Sequence, residues 1–243
     1  MGLLDFFRGG DEPSKSQITK ALRQVTQPHG DPAVRMTAAD RLKSWGTKEA
    51  ISSLLRRFTI QTPSGAVDTE ECQQVEAMLV ELGRAAVGPI LAYLEKEPKV
   101  AYPARALEKI LPREQFVARV LGVLEKLEAG FGSHNEQRAG LIRALEEIDD
   151  ERIAAGVKAF LHDPNDDVAI AAVGCIVRRA DPAFRDDLVG LLVECKDRPR
   201  VRQEVAERLA ALGWPLEDRR KVVEEHLPEG FTIDKKGRVL SHL

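Results

Sequence analysis

Apolar positions along this chain fall in stripes spaced by three and four residues, the period of an α-helix. The stripes come in pairs. Val75, Leu79 and Leu82 are followed by Val87, Ile90, Leu91 and Leu94; Leu141, Ile142, Leu145 and Ile148 by Val157, Phe160 and Leu161. Ala172, Val173 and Ile176 precede Phe184, Leu188, Leu191 and Leu192. Tyr102 leads a stripe of Ala106, Leu107 and Ile110, and Ile51, Leu54, Leu55 and Phe58 form another second stripe. This pattern predicts antiparallel helix pairs joined by short turns.

The first stripe of each pair repeats a motif. Asp31-Pro32-Ala33-Val34-Arg35 leads to Ala38, Ala39, Leu42 and Trp45-Gly46. Arg200-Val201-Arg202 leads to Val205, Ala206, Leu209 and Leu212-Gly213. From Val34 or Val201 the small or apolar residues stand at +4, +5, +8 and +11, with glycine at +12. Taking Val34, Glu71, Tyr102, Gln137, Val168 and Val201 as repeat heads gives intervals of 37, 31, 35, 31 and 33. Such periodicity means a stack of small units that share one continuous core. Asp181-Pro182 and Asp163-Pro164 read as a cap followed by a first-turn proline. Asp149-Asp150-Glu151 places negative charge at a helix start, where the backbone dipole favours it.

On these residues the chain resembles HEAT-repeat proteins of the armadillo-like class. The matching stretches are Asp31 to Ala39 with Leu42, and Leu82-Gly83 with Ala86-Val87-Gly88-Pro89-Ile90-Leu91 and Leu94. The resemblance covers about residues 28–228. It implies an all-α fold, a right-handed superhelix of about six helix pairs whose second helices line a concave side. It also implies that Asp31 and Arg35 cap helices or bridge neighbouring repeats. HEAT proteins share no common chemistry, so the resemblance implies partner binding and no catalysis.

Departures from the period divide the chain into 1–12, an apolar arm and joint; 13–228, the solenoid; and 229–243, a hairpin and tail. In the arm, Leu3, Leu4, Phe6 and Phe7 form an apolar patch before Gly9-Gly10. It can cap the first repeat or dock elsewhere, and weak peripheral membrane contact through residues 1–8 fits its small area. A helix is expected from about Pro13 to Val25. Gln61 to Asp68 reads as a loop that lengthens the first interval, and Gly130 to Asn135 as another, with Phe131 plugging the core. Phe231 to Leu240 alternates apolar and polar around Gly237, a hairpin signal. A lone hairpin is marginal, so it should lie on the last helix pair.

Charge changes the picture locally. The net charge is −3, which gives no global field for nucleic acid or anionic membrane. Residues 136–195 carry 7 basic and 13 acidic side chains, net −6, between flanks of +1 and +2. Cys72, Cys175 and Cys195 are scattered and read as reduced thiols of a cytoplasmic protein. No apolar run reaches the roughly 20 residues of a membrane span.

No nucleophile elbow, phosphate-binding glycine loop or zinc-binding helix motif is present in the sequence, and the five histidines lie far apart, so neither a metal nor another cofactor is expected. On a helical wheel, Ser53 and Arg56, Ala92 and Lys96, Lys158 and His162, Val189 and Val193, and Lys221 and Glu225 lie opposite the second-helix stripes. Arg56, Lys96, Lys158 and Lys221 then form a sparse basic ladder. Val189 and Val193 suggest either a wider core or an apolar contact patch. The expected function is a non-enzymatic scaffold holding a partner protein or peptide on the concave helical surface. The alternatives are a nucleic-acid-binding repeat protein, against which the acidic balance argues, and a subunit resembling helical-repeat bilin lyases.

Overall fold

The computed structural model describes residues 12–127 and 134–242. Among them are thirteen α-helices and one antiparallel two-stranded sheet. The helices are α1 (Lys15–Val25), α2 (Pro32–Trp45), α3 (Lys48–Leu55), α4 (Gly65–Leu82), α5 (Arg84–Leu94), α6 (Ala101–Ile110) and α7 (Arg113–Leu124). They continue with α8 (Asn135–Arg143), α9 (Glu151–Val157), α10 (Asp166–Val177), α11 (Arg185–Glu194), α12 (Pro199–Leu212) and α13 (Arg220–Glu224). Short 3-10 turns, Arg56–Thr59 and Lys158–His162, extend α3 and α9. Strands β1 (Phe231–Ile233) and β2 (Val239–Ser241) pair with Phe231 opposite Ser241. This is an all-α repeat fold with a C-terminal hairpin.

The even-numbered helices from α2 are the first helices of the pairs and the odd-numbered ones from α3 the second. Like stacks on like: α2 on α4, α4 on α6, α8 on α10 and α10 on α12, with α3 on α5 and α11 on α13. The contacts divide the chain into two compact units, one running to Phe116 and one from Val117.

In the first unit, α1 packs on α2 and α3. Its start is set by a capping box, in which Ser14 accepts from the Gln17 amide while Gln17 accepts from the Ser14 amide. Asp31 caps α2 by accepting from the Ala33 amide at 2.8 Å, with Pro32 in the first turn. The glycine at +12 of the motif ends the helix. Gly46 and Gly213 both have φ of 61°, in the left-handed region that a Cβ disfavours. In the second unit β2 lies on α12 and β1 on α13, and Phe231 and Val239 are buried beneath the hairpin.

The structure corrects several expectations. Residues 65–68 are not loop but the first turn of α4, capped by the Ser64 hydroxyl on the Val67 amide. The long first interval is therefore an added helical turn. Asp163-Pro164 does not open α10. Asn165 caps that helix, and Asp163 is wholly buried. The head position is not uniformly core: Val168 and Val201 are buried, but Val34 is 43% exposed. Helices α10 and α12 each pack on a preceding first helix, whereas among the described residues α2 has before it α1, which is shared with α3. Leu3, Leu4, Phe6, Phe7 and Phe131 lie outside the described residues.

Five acids of the block 136–195 pair repeat to repeat, two of them with arginines from beyond it. Glu147 pairs with Arg178, Asp149 with Arg179, Asp166 with Arg198, Asp167 with Arg200 and Asp187 with Lys158. Cys72, Cys175 and Cys195 are free and buried. Burial pushes the Cys175 thiol up to about 12, so it behaves as a core residue rather than a nucleophile.

Candidate interaction surface

A buried ionic cluster sets the position of α3 and α4. Arg35, Arg57 and Glu71 are 2%, 0% and 3% exposed. Glu71 Oε1 accepts from Arg35 Nη2 at 2.8 Å, and Glu71 Oε2 from Arg57 Nε at 2.8 Å. Asp68 Oδ1 accepts from Arg57 Nη2 at 2.9 Å and from the Thr62 amide at 3.0 Å. Arg35 Nη1 donates to the carbonyls of Gln27 and Gly30 in the turn between α1 and α2. Two cations meet two anions, so the group is neutral. Its worth lies in fixing geometry, because desolvation offsets much of the attraction. Burial pulls the Arg57 guanidinium down, but its bonds to Asp68 and Glu71 outweigh that and raise it. Burial likewise pushes the Asp68 carboxyl up, and the Thr62 amide and Arg57 more than reverse it.

Adjacent residues on a helix point about 100° apart. With Arg57 locked inward, Arg56 faces out, where it pairs with Glu97 just past α5. Between α3 and α5 lies an open groove of about 190 Å³, lined among others by Ser52, Arg56, Ala92 and Lys96. Two of the basic positions picked out on the wheel, Arg56 and Lys96, thus share one groove. Beneath it Phe58 stacks on Tyr102, with centroids 5.7 Å apart and planes at 8°, and meets Tyr93 edge-on at 6.3 Å. Arg105 lies over the outer face of Tyr102, 4.4 Å from its centroid.

In the second unit, Lys158 is exposed, pairs with Asp187 at 2.8 Å and lies 5.9 Å from the centre of the Phe184 ring. Lys221 is exposed on α13 and Val193 half-buried on α11. Val189 is 2% exposed and offers a partner no surface. Helix α11 packs on both α12 and α13, so two adjacent positions, Leu188 and Val189, are covered. Ser53 is a similar correction: it is buried, because α3 touches α1, α2, α4 and α5. Among the described residues no three His, Cys, Asp or Glu side chains gather as metal ligands. Nor is any helix there long and apolar enough to cross a membrane.

The pairwise stripes conceal a more regular signal. Gly88, Gly122, Gly156 and Gly190 recur at an unbroken interval of 34 residues. Each falls inside a second helix: α5, α7, α9 and α11 respectively. Glycine inside a helix costs about 1 kcal/mol relative to alanine. At Gly156 the reason is packing, since a Cβ would stand 2.7 Å from Leu121 Cδ2. At Gly88, Gly122 and Gly190 a Cβ would meet nothing within 4 Å. Gly88 directly precedes Pro89 inside α5, where a Cβ would crowd the proline ring; among the described residues nothing requires Gly122 and Gly190. A search for single-residue periodicity would have found them; a search for apolar stripes does not.

Residues 153–230 match the family model of HEAT repeats. That stretch runs from α9 to the end of the last helix pair, and the stacked pairs before it follow the same plan. That stretch is therefore HEAT repeat, in a chain of helix pairs that supports the same reading. No curated protein and no solved structure matches it.

Proposed function

We propose that this protein is a non-enzymatic scaffold that binds a partner protein or peptide on the outward face of its second helices. HEAT repeats generally mediate protein–protein interaction, which supports the class. The observation that carries the reading for this chain is the bare second-helix face. Gly122 and Gly190 weaken α7 and α11 with no described neighbour that excludes a Cβ, and Gly88 leaves α5 bare beside Pro89. A helix stripped of side chains lets another backbone approach closely. In the second unit the repeat-to-repeat ion pairs use up charge, so its second helices are best suited to shape-based contact.

Site-specific photo-crosslinking in the native cell tests this. A photoreactive side chain placed at Ala92 or Gly190 should yield a discrete crosslinked product, while one at Arg41, exposed on the first helix α2, should not. Equal labelling from both faces, or none from either, overturns the reading.

A further inference from the structure

The charges on α3 and α5 identify the kind of partner that the first unit fits. Around the groove, Arg56 and Glu97 neutralise one another, and Glu95 is engaged within the chain. Lys99 donates to the Ile60 carbonyl. Among the described residues Lys48, Arg84 and Lys96 are all exposed and make no ion pair, and the one acid within α3 and α5 is Glu49. The face is left with an excess of positive charge around a floor of small residues, Ser52, Gly88 and Ala92, all exposed.

The fold does not account for two of these cations. Lys48 and Arg84 occupy the first positions of α3 and α5, where the helix dipole favours anions and disfavours cations. At α5 the cap is Gly83, which offers the first amides no side-chain acceptor. Placing Arg84 there costs the isolated chain a little stability. An approaching carboxylate would gain from the cation and the dipole together.

We propose that the face of α3 and α5 is the docking site for an acidic peptide segment. Its backbone lies along Ser52, Gly88 and Ala92, and its carboxylates meet Lys48, Arg84 and Lys96. The groove volume of about 190 Å³ is below the 300–1,000 Å³ of a small-molecule pocket, as suits a strand of peptide pressing a single side chain between two helices. This deepens the scaffold reading and rests on it for the choice of face.

The test is fluorescence anisotropy on the full chain with a labelled peptide of alternating glutamate and leucine, beside its lysine–leucine counterpart and a single-stranded DNA oligonucleotide. The acidic peptide should bind, the basic one should not, and the oligonucleotide should bind more weakly than the acidic peptide. Arg84→Glu with Lys96→Glu should weaken acidic-peptide binding about tenfold or more. Lys235→Glu with Lys236→Glu, both exposed in the hairpin turn, makes the same change in net charge elsewhere and should leave binding nearly unchanged. Gly88→Gln should weaken it with the charge kept, while thermal melting confirms that each variant folds.

Equal loss in both charge-reversal pairs, no preference for the acidic peptide, or tighter binding of the oligonucleotide each overturns the proposal. Crosslinking from Ala92 or Gly190 without acidic-peptide binding removes this occupant and leaves the scaffold reading standing. Peptide binding as described, without any crosslink in the cell, does the reverse.

Discussion

Glu71 holds two arginines, of which only Arg57 has a second carboxylate, Asp68. Both are buried, and Arg57 Nη1 already lacks a hydrogen-bond partner. Glu71→Ala leaves Asp68 as the one carboxylate of the cluster and strands Arg35 in a dry site. Removing one partner of a buried pair costs about 3–5 kcal/mol, and urea unfolding of the variant should show a loss in that range. The solvent-exposed pair Arg200–Asp167 offers a contrast. Asp167→Ala should change stability by less than about 1 kcal/mol. Acid acts through a different residue. Its hydrogen bonds with the Arg152 side chain, opposed by partial burial, hold the Asp150 carboxyl down at about 2, against an ordinary 3.8. A depressed carboxyl contributes stability that is complete above its unfolded value and is lost as pH falls through its folded one. Asp150→Asn should therefore flatten the decline in stability between about pH 4 and pH 2, measured by chemical unfolding at each pH. It retains a side-chain acceptor for the Arg152 amide at the start of α9.

At the scale of the helix, one substitution separates two uses of glycine. Gly213 ends α12 with φ of 61°, so Gly213→Ala should destabilise by about 1–2 kcal/mol through strain. Gly190 sits inside α11 with open space where a Cβ would go, so Gly190→Ala should stabilise by about 0.5–1 kcal/mol. Thermal melts of the two variants should move in opposite directions, and a fall for both would mean that α11 is packed on its glycine face. The same contrast explains what could be read from the sequence. Terminal glycines, Asp31-Pro32 and the apolar stripes specify the first helices directly, because caps and periodicity act locally. Gly65 misleads: beside Pro63 it looks like a turn, yet the Ser64 hydroxyl caps a helix through it. Arg56 and Lys96 were legible as surface positions on a wheel. Ser53 and Val189 were not, because a wheel assumes one packed face while α3 and α11 are covered on more than one side. The buried role of Glu71 was also hidden, since a charged residue at a repeat head gives no sign of the arginine 36 residues before it.

Across the whole molecule, a repeat array transmits stability mainly between neighbours, and damage should stay near its source. Two variants at opposite ends test this. Phe231 is 7% exposed beneath the hairpin, whose strands lie on α12 and α13. Phe231→Ala should cost about 3 kcal/mol, toward the low end for a core aromatic. Amide hydrogen exchange should then quicken first in α13 and α12, less in α10, and not in α2 to α4. Glu71→Ala should do the opposite, releasing α2, α3 and α4 while α10 to α12 keep their protection. The outcome bears on function as well as folding. If each end opens by itself, a partner held on α3 and α5 can order that end without altering the last repeats. Faster exchange throughout the chain from either substitution would instead mean one cooperative block, in which binding at any helix pair stabilises all of them.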